Sequence, residues 1–522
     1  MSTSRDESSP VVARSAATKQ PRSSRSPRAC GPRDDRRCGG RIAAGLVVSL
    51  LAGGCISLEP RLQLPAPPIA GEWPIPPTSA AGGVGATRAA ATLAAADAGA
   101  PAAADVGWRD FLADEKLEQL VALALDNNRD LRVAVLNVAR ARALHDIRRA
   151  DRLPSIDGAV SAARQRLPSV QTGGDPETVT SYAVEVGLTS YEVDLFGRVR
   201  NLSHAALERF FADEEARRGT QIALIAAVAD TYLTLAADRA LQRLAEETVA
   251  SEEESFRLTQ RRYELGAVSG LEVSQAQTTV ESARVDAARF AGNVAQDVNA
   301  LTLLVGAAID PALLPEGFAP VVAAPPLPVG LPSEVLLRRP DVIEAEHLLR
   351  AANADLGAAR AAYLPRITLT AAAGRTSDQL SDLFSGGSGF WSFLPRVSVP
   401  IFQGGRLRAG RRVAEVDRDA AVARYERAIQ VGFREVADAL ALTDTLARQR
   451  QAQEALTGAA GRAYELSRAR FESGRDSYLV TLDSQRVHYG AQQGLIVIRL
   501  AEERNRVALY RVLGGGWEET RR

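Results

Sequence analysis

The chain has 522 residues with 63 basic and 63 acidic side chains, a formal net charge of zero. Residues 1–54 hold ten Lys or Arg against four Asp or Glu, a net of six positive charges that the remainder offsets with six net negative ones. That distribution leaves no basic field in the body of the chain and gives a nucleic-acid partner little support, while an aromatic content of 5% with abundant alanine suits long helices packed through small side chains.

The N-terminus reads as a secretory signal. Arg36, Arg37 and Arg41 precede the apolar run Ile42 to Ala52. Eleven helical residues reach about 16 Å, roughly half of the ~30 Å of a hydrocarbon core. The small residues Ala52-Gly53-Gly54 lead to Cys55, which resembles a bacterial lipoprotein processing site, although Leu51 stands four residues before the cysteine where such sites usually place Leu three before. The alternative is a free cysteine behind an ordinary signal. Several acyl chains on Cys55 would anchor the chain, each buried CH₂ contributing about 0.8 kcal/mol. Ile56 follows where an Asp would favour inner-membrane retention, so the resemblance implies sorting to the outer membrane. The expected divisions are a removed signal region at 1–54 and an acylated tether at 55–107. The tether is rich in Pro, Ala and Gly (Pro65, Pro67, Pro68, Pro74, Pro76, Pro77), a composition that builds no core and stays extended.

From residue 108 the chain runs twice through one plan. Gly197-Arg198-Val199-Arg200 recurs as Gly405-Arg406-Leu407-Arg408, Gly266 as Gly474, and Val305-Gly306 as Leu513-Gly514, each 208 residues later. Such self-similarity marks a tandem duplication, with a first repeat at 108–330 and a second at 331–522. Trp108 to Ala150 has apolar residues at three- and four-residue steps, with an interruption at Asn127-Asn128, and predicts a helix that Leu153-Pro154 ends. Leu364-Pro365 is the counterpart. Strands are expected at Ile156 to Gln165, Val179 to Asp194, Ile367 to Gly374 and Phe390 to Phe402, each pair separated by a Gly/Ser/Asp-rich loop.

Long helices come next. Arg198 to Leu265 and Arg406 to Ser473 are 68 residues each without proline, so each spans roughly 100 Å. Val422, Tyr425, Ile429, Phe433, Val436 and Leu440 form a coiled-coil stripe in the second; Leu233, Ala237, Ala240 and Leu244 do so in the first. After glycine turns, shorter helices return at Leu271 to Val305 and Leu479 to Leu513. The short helices 112–150 and 271–305 together match one long helix and are expected end to end beside it.

Four strands leave open edges, which a membrane does not tolerate. Closure needs at least two copies, and three would supply twelve strands, wide enough for a water-filled lumen. The expected fold is mainly α with a small β part: a tandem-repeat protomer of a trimeric 12-stranded outer-membrane β-barrel, continued by a long α-helical coiled-coil barrel with the glycine turns at its far tip.

Cys30, Cys38 and Cys55 all precede the repeats, so no disulfide framework or cysteine metal site is available there. His145, His204, His347 and His488 are scattered and read as packed or solvated. No nucleophile–base set, metal cluster or phosphate loop points to an enzyme or a cofactor.

Trp108-Arg109-Asp110-Phe111 with Asn127-Asn128-Arg129-Asp130-Leu131, Tyr191-Glu192-Val193-Asp194-Leu195-Phe196-Gly197-Arg198, Ile401-Phe402-Gln403-Gly404-Gly405-Arg406 and Leu513-Gly514-Gly515-Gly516-Trp517 resemble the TolC-like outer-membrane efflux proteins, in particular their lipoprotein branch (NodT or OprM-like). The resemblance spans about 55 to 518. It implies a homotrimeric, non-catalytic exit duct, lipid-anchored in the outer membrane with its helices in the periplasm. Its partners would be a periplasmic adaptor and an inner-membrane pump of the RND class. A duct for type I-like protein or oligosaccharide secretion is the alternative. Leu479, Asp483 and Arg486 match the family's periplasmic gate and fall on one helix face; Arg470 matches a residue that holds that end closed. Spacing alone would make Asp483 and Arg486 an ordinary intrahelical ion pair. The turns at Gly266 to Gly270 and Gly474 to Tyr478 are the implied adaptor contacts.

Overall fold

The computed structural model describes residues 57–71, 73–74, 105–321 and 335–517. Residues 1–56, with the signal region and Cys55, and residues 72 and 75–104 of the tether lie outside the described residues. The first repeat opens with α1 (Trp108–Phe111), α2 (Glu115–Asn127) and α3 (Arg129–Ala150), then β1 (Ile156–Leu167), the single turn α4 (Ser169–Thr172), β2 (Glu177–Val193), α5 (Arg198–Glu264) and α6 (Gly270–Val305). The second runs through α7 (Pro340–Ala361), β3 (Arg366–Ser377), β4 (Gly389–Ser398), α8 (Arg406–Glu472) and α9 (Tyr478–Val512).

The first expected helix is three. Asn128 leaves the helix with an extended backbone, its side chain accepts from the Leu131 N–H, and it thereby ends α2 and caps α3. Its amide also donates to the Leu304 carbonyl at 2.8 Å, near the end of α6. Two short helices therefore meet end to end beside α5. Their approach is close: a Cβ on Gly306 would sit 2.6 Å from the Asn127 carbonyl oxygen, and φ at Gly306 is +73°, so only glycine fits the junction. In the second repeat Arg339 plays the joining part, donating to the Val512 carbonyl at 2.7 Å.

Each long helix has 67 residues. The α8 stripe buries Tyr425, Ile429 and Val436 with Ala421, Gly432 and Ala439, while Val422, Phe433 and Leu440 flank it half-buried. In α5 the buried row is Leu233, Ala237, Leu241 and Ala245, one residue on from Ala240 and Leu244 in its second half. α5 also contains one stretch long and apolar enough to cross a membrane, but 56% of it is buried inside the protein; it is core. Two hydrophobic cores lie where the short-helix junctions meet the middles of α5 and α8. Tyr510, two residues before Val512 of the second core, belongs to the first: its ring stacks on Phe111 at 3.8 Å and its hydroxyl donates to the Val106 carbonyl.

The tether reading needs one correction. Residues 57–71 and 73–74 have no regular structure, yet they dock as a strap: Trp73 is 6% exposed and stacks on Phe433 at 5.0 Å, and Asn353 donates to the Pro60 carbonyl. Prolines keep the strap extended, and its few apolar side chains reach a groove that α7 and α8 provide.

All four strands pair antiparallel in one sheet, in the order β1-β2-β3-β4. The β2–β3 pairing joins the two repeats, and β1 and β4 are left as edges. β4 stops at Ser398, short of the expected Phe402; Pro400 cannot donate to a ladder. Between Leu188 and Tyr191 the register shifts through a bulge in which Ser190 takes φ +56°. The bulge returns Tyr191 and Val193 to the face that carries Val184, Val186 and Leu188.

Candidate functional site

Register sorts the sheet into two unlike faces. Cross-strand neighbours share a face, so Ile156 and Val160, Val184 to Leu188 in alternation, Ile367 and Leu369, and Trp391, Phe393 and Val397 lie together. Trp391 is 80% exposed and Val160 81%. The other face carries Asp157, Ser161, Glu185, Thr368, Thr370, Ser392 and Arg396. An exposed apolar face behind a polar one is the pattern of a strand set with lipid outside and water inside.

Sheet and helices meet at a charged joint. Glu192 takes a bidentate pair from Arg198 (2.8 and 2.6 Å) and a further contact from Arg366 at 3.4 Å. The Asp194 carboxylate accepts from the Arg200 N–H at 2.7 Å, capping the start of α5. Nearby, His204 lies between Glu208 (3.2 Å) and Glu59 of the strap (3.1 Å). Hydrogen bonds to Glu208 and then Glu59 raise its pKa to about 10, so it is a cation at neutral pH.

At the opposite end the two glycine turns are built alike. Gly266 and Gly474 take φ +72° and +71°. The next N–H of each, from Ala267 and Arg475, reaches back to the Arg262 and Arg470 carbonyls at 2.8 and 2.9 Å, the pattern of a glycine C-cap. The starts of the two returning helices differ. Ser269 and Glu272 form a capping box on α6, whereas Ser477 makes no side-chain cap and Arg470 instead pairs with Asp476 through two bonds of 2.6 and 2.9 Å. Across the repeats, the Arg262 guanidinium lies 5.0 Å over the Phe471 ring, and Tyr478 and Leu482 pack with Ala276.

Gly266, Gly270 and Gly474 are exposed at the tip. Tyr478 is 5% exposed and supports the turn from within. Leu479, Asp483 and Arg486 are all exposed along one face of α9, with Leu479 at 59%. The intrahelical pair that spacing suggests for Asp483 and Arg486 is not formed among the described residues; the Arg486 charge acts on Glu252 instead. Glu252, on α5, is 1% exposed. One oxygen accepts from the Gln485 amide and the other, Oε2, has no partner. Burial pushes its pKa up to about 7, with Arg486 opposing. Sequence reasoning misses Glu252 because Ser251-Glu252-Glu253-Glu254 looks like a solvated charge run; the one available signal is its repeat counterpart, Ala460. Among the described residues no His, Cys, Asp and Glu group is arranged to hold a metal ion.

The family model described as outer membrane efflux protein matches residues 120–307 and 331–515. The antibiotic efflux pump outer membrane protein ArpC of Pseudomonas putida is 46% identical over 478 residues, spanning 91% of this chain and 95% of that protein. The toluene efflux pump outer membrane protein TtgC of Pseudomonas putida matches with the same identity, 46%, over 478 residues, again 91% of this chain and 95% of that one. Among solved structures, the open state of the MtrE outer membrane channel of Neisseria gonorrhoeae aligns with a TM-score of 0.78 at 34% identity, covering 88% of this chain and 99% of that chain.

Proposed function

This chain belongs to the outer membrane efflux protein family, and we propose that three copies of it form the exit duct through which an inner-membrane pump of the RND class, joined by a periplasmic adaptor, expels small apolar toxicants. It is the outer-membrane channel of a tripartite efflux pump, a passive conduit rather than an enzyme. The observation that carries the trimeric reading is the sheet with one lipid-compatible face, one polar face and two open edges. Exposed apolar side chains on the helices, such as Leu136 at 59% and Ile147 at 58%, support further burial between copies. Acyl chains on Cys55 would hold the strap end at the membrane, and the exposed turns at Gly266, Gly270 and Gly474 would meet the adaptor. Antibiotics and aromatic solvents are the cargo class, from the names of ArpC and TtgC. Deleting the gene with its pump intact should raise sensitivity to such compounds; unchanged sensitivity across a broad panel would point to secretion of protein or oligosaccharide instead.

In the trimer Leu479, Asp483 and Arg486 would line the periplasmic constriction, with three carboxylates around the axis and an apolar ring one turn away, while Arg470 braces the turn through Asp476. Asp483→Ala is then expected to reduce cation preference in planar bilayers, and identical selectivity would remove Asp483 from the lumen. Glu252 would hold the gate helix α9 against α5. A raised carboxyl pKa means that the packed state binds the proton more tightly than the solvated group. Packing is therefore strongest below the ordinary pKa of 4.5 and weakens as pH rises through about 7, on the order of 3 kcal/mol in all. Hydrogen-exchange protection of residues 478–488 should fall over that range in the wild type and stay level in Glu252→Gln. Parallel slopes in the two proteins would separate Glu252 from gating.

A further inference from the structure

We propose that the cavity between the strap and the sheet-proximal ends of α3 and α5 binds the phosphate of an anionic phospholipid headgroup. The cavity holds about 440 Å³ and is lined by Arg149, Arg152, Arg200, His145 and His204, with Ser57 and Glu59 from the strap. That volume falls in the range of small-ligand sites, about 300–1,000 Å³. Its charge is one-sided. Glu59 is the sole carboxylate lining it, and that carboxylate is already engaged by His204 and by the Asn353 amide.

Neighbouring arginines have partners: Arg148 pairs with Asp151 at 3.3 Å and Arg198 with Glu192. Arg149 and Arg152 have no carboxylate partner among the described residues and are exposed. Asn201, only 1% exposed, fixes the strap side of the cavity by accepting from the Ser57 hydroxyl at 3.0 Å. Guanidinium groups recognise phosphate oxygens in planar pairs.

Position selects the source of the phosphate. Arg152 stands four residues before β1, and its carbonyl accepts from the Tyr191 hydroxyl of β2 at 3.2 Å. Ile156, which opens β1, is 74% exposed on the apolar face. Ser57 is two residues after Cys55. The cavity therefore opens at the periplasmic rim of the sheet, where headgroups of the inner leaflet lie, and basic pockets at that level take anionic headgroups. This inference rests on the sheet being membrane-inserted, as proposed above.

The test uses the full-length protein reconstituted in nanodiscs containing phosphatidylglycerol and phosphatidylcholine, with lipids retained on the channel counted by native mass spectrometry. Wild type should retain phosphatidylglycerol in preference, and the Arg149→Ala/Arg152→Ala protein should lose that preference by on the order of ten-fold. Arg149→Lys/Arg152→Lys should keep most of it. Equal retention by wild type and the alanine variant overturns the site, as does displacement of the lipid signal by millimolar inorganic phosphate, which would make the cavity a free-phosphate site. Bilayer conductance is recorded in parallel: its loss in wild type would indict the channel reading, whereas intact conductance with no lipid preference indicts this inference alone.

Discussion

Phe393→Arg is expected to keep the protein out of the outer membrane, while Leu394→Arg, one residue along, is expected to be tolerated. Both side chains are exposed, at 56% and 62%. They point to opposite faces of β4: Phe393 pairs with Ala371 on the apolar face and Leu394 with Thr370 on the polar one. An arginine on the lipid face near the bilayer midplane costs about 2–4 kcal/mol per strand, and the proposed trimer would meet it three times. On the lumen face the same side chain stays in water. Outer-membrane fractionation and rescue of solvent resistance in a deletion strain read both variants. Equal behaviour of the two would mean that the sheet does not separate lipid from water.

Arg339→Ala is expected to loosen the joint between α7 and α9 and to lower thermal stability. The guanidinium is 9% exposed and gathers three acceptors, the Val512 carbonyl, Asp341 at 2.9 and 2.8 Å and Glu435 at 2.9 Å. Removing it leaves Glu435 and a buried carbonyl unpaired, which costs about 3 kcal/mol, near the low end for breaking a buried pair because Glu435 keeps some solvent. Lysine should not restore the joint, since one ammonium cannot reproduce a planar fork that spans three acceptors. Loss of helical signal at a lower temperature, with faster exchange at residues 510–514, is the expected outcome. An unchanged melting profile would show that the end-to-end helix junction stands without Arg339.

Much of this fold is legible in the sequence because its signals are local and repeated. Sixty-odd residues without proline, bounded by glycines at a fixed offset, leave little choice but long helices and matching turns. The alternation of Val184, Val186 and Leu188 marks a strand with two unlike faces. The features that escape have tertiary causes. Nothing in Thr189-Ser190-Tyr191 announces a bulge, since Ser190 takes its left-handed backbone only because β3 fixes the register on either side. Alternation through Val397, Val399 and Ile401 extends β4 past its end, because pattern alone does not reveal where hydrogen-bond partners stop. Trp73 sits in a segment whose composition argues against a core, and its burial depends on a groove made some 360 residues later around Phe433. At the tip, Leu479, Asp483 and Arg486 are readable as one face, but Glu252 acquires its role only from Gln485 and Arg486 of the other repeat.

In the proposed duct one chain supplies four strands of the wall, and identical copies would complete it. Imaging the purified protein in lipid nanodiscs tests this most directly. Three copies closing twelve strands around a water-filled lumen, with β4 of each paired to β1 of the next, is the predicted result. A single copy in the bilayer, its two outer strands unpaired and no aqueous passage beside them, would contradict it.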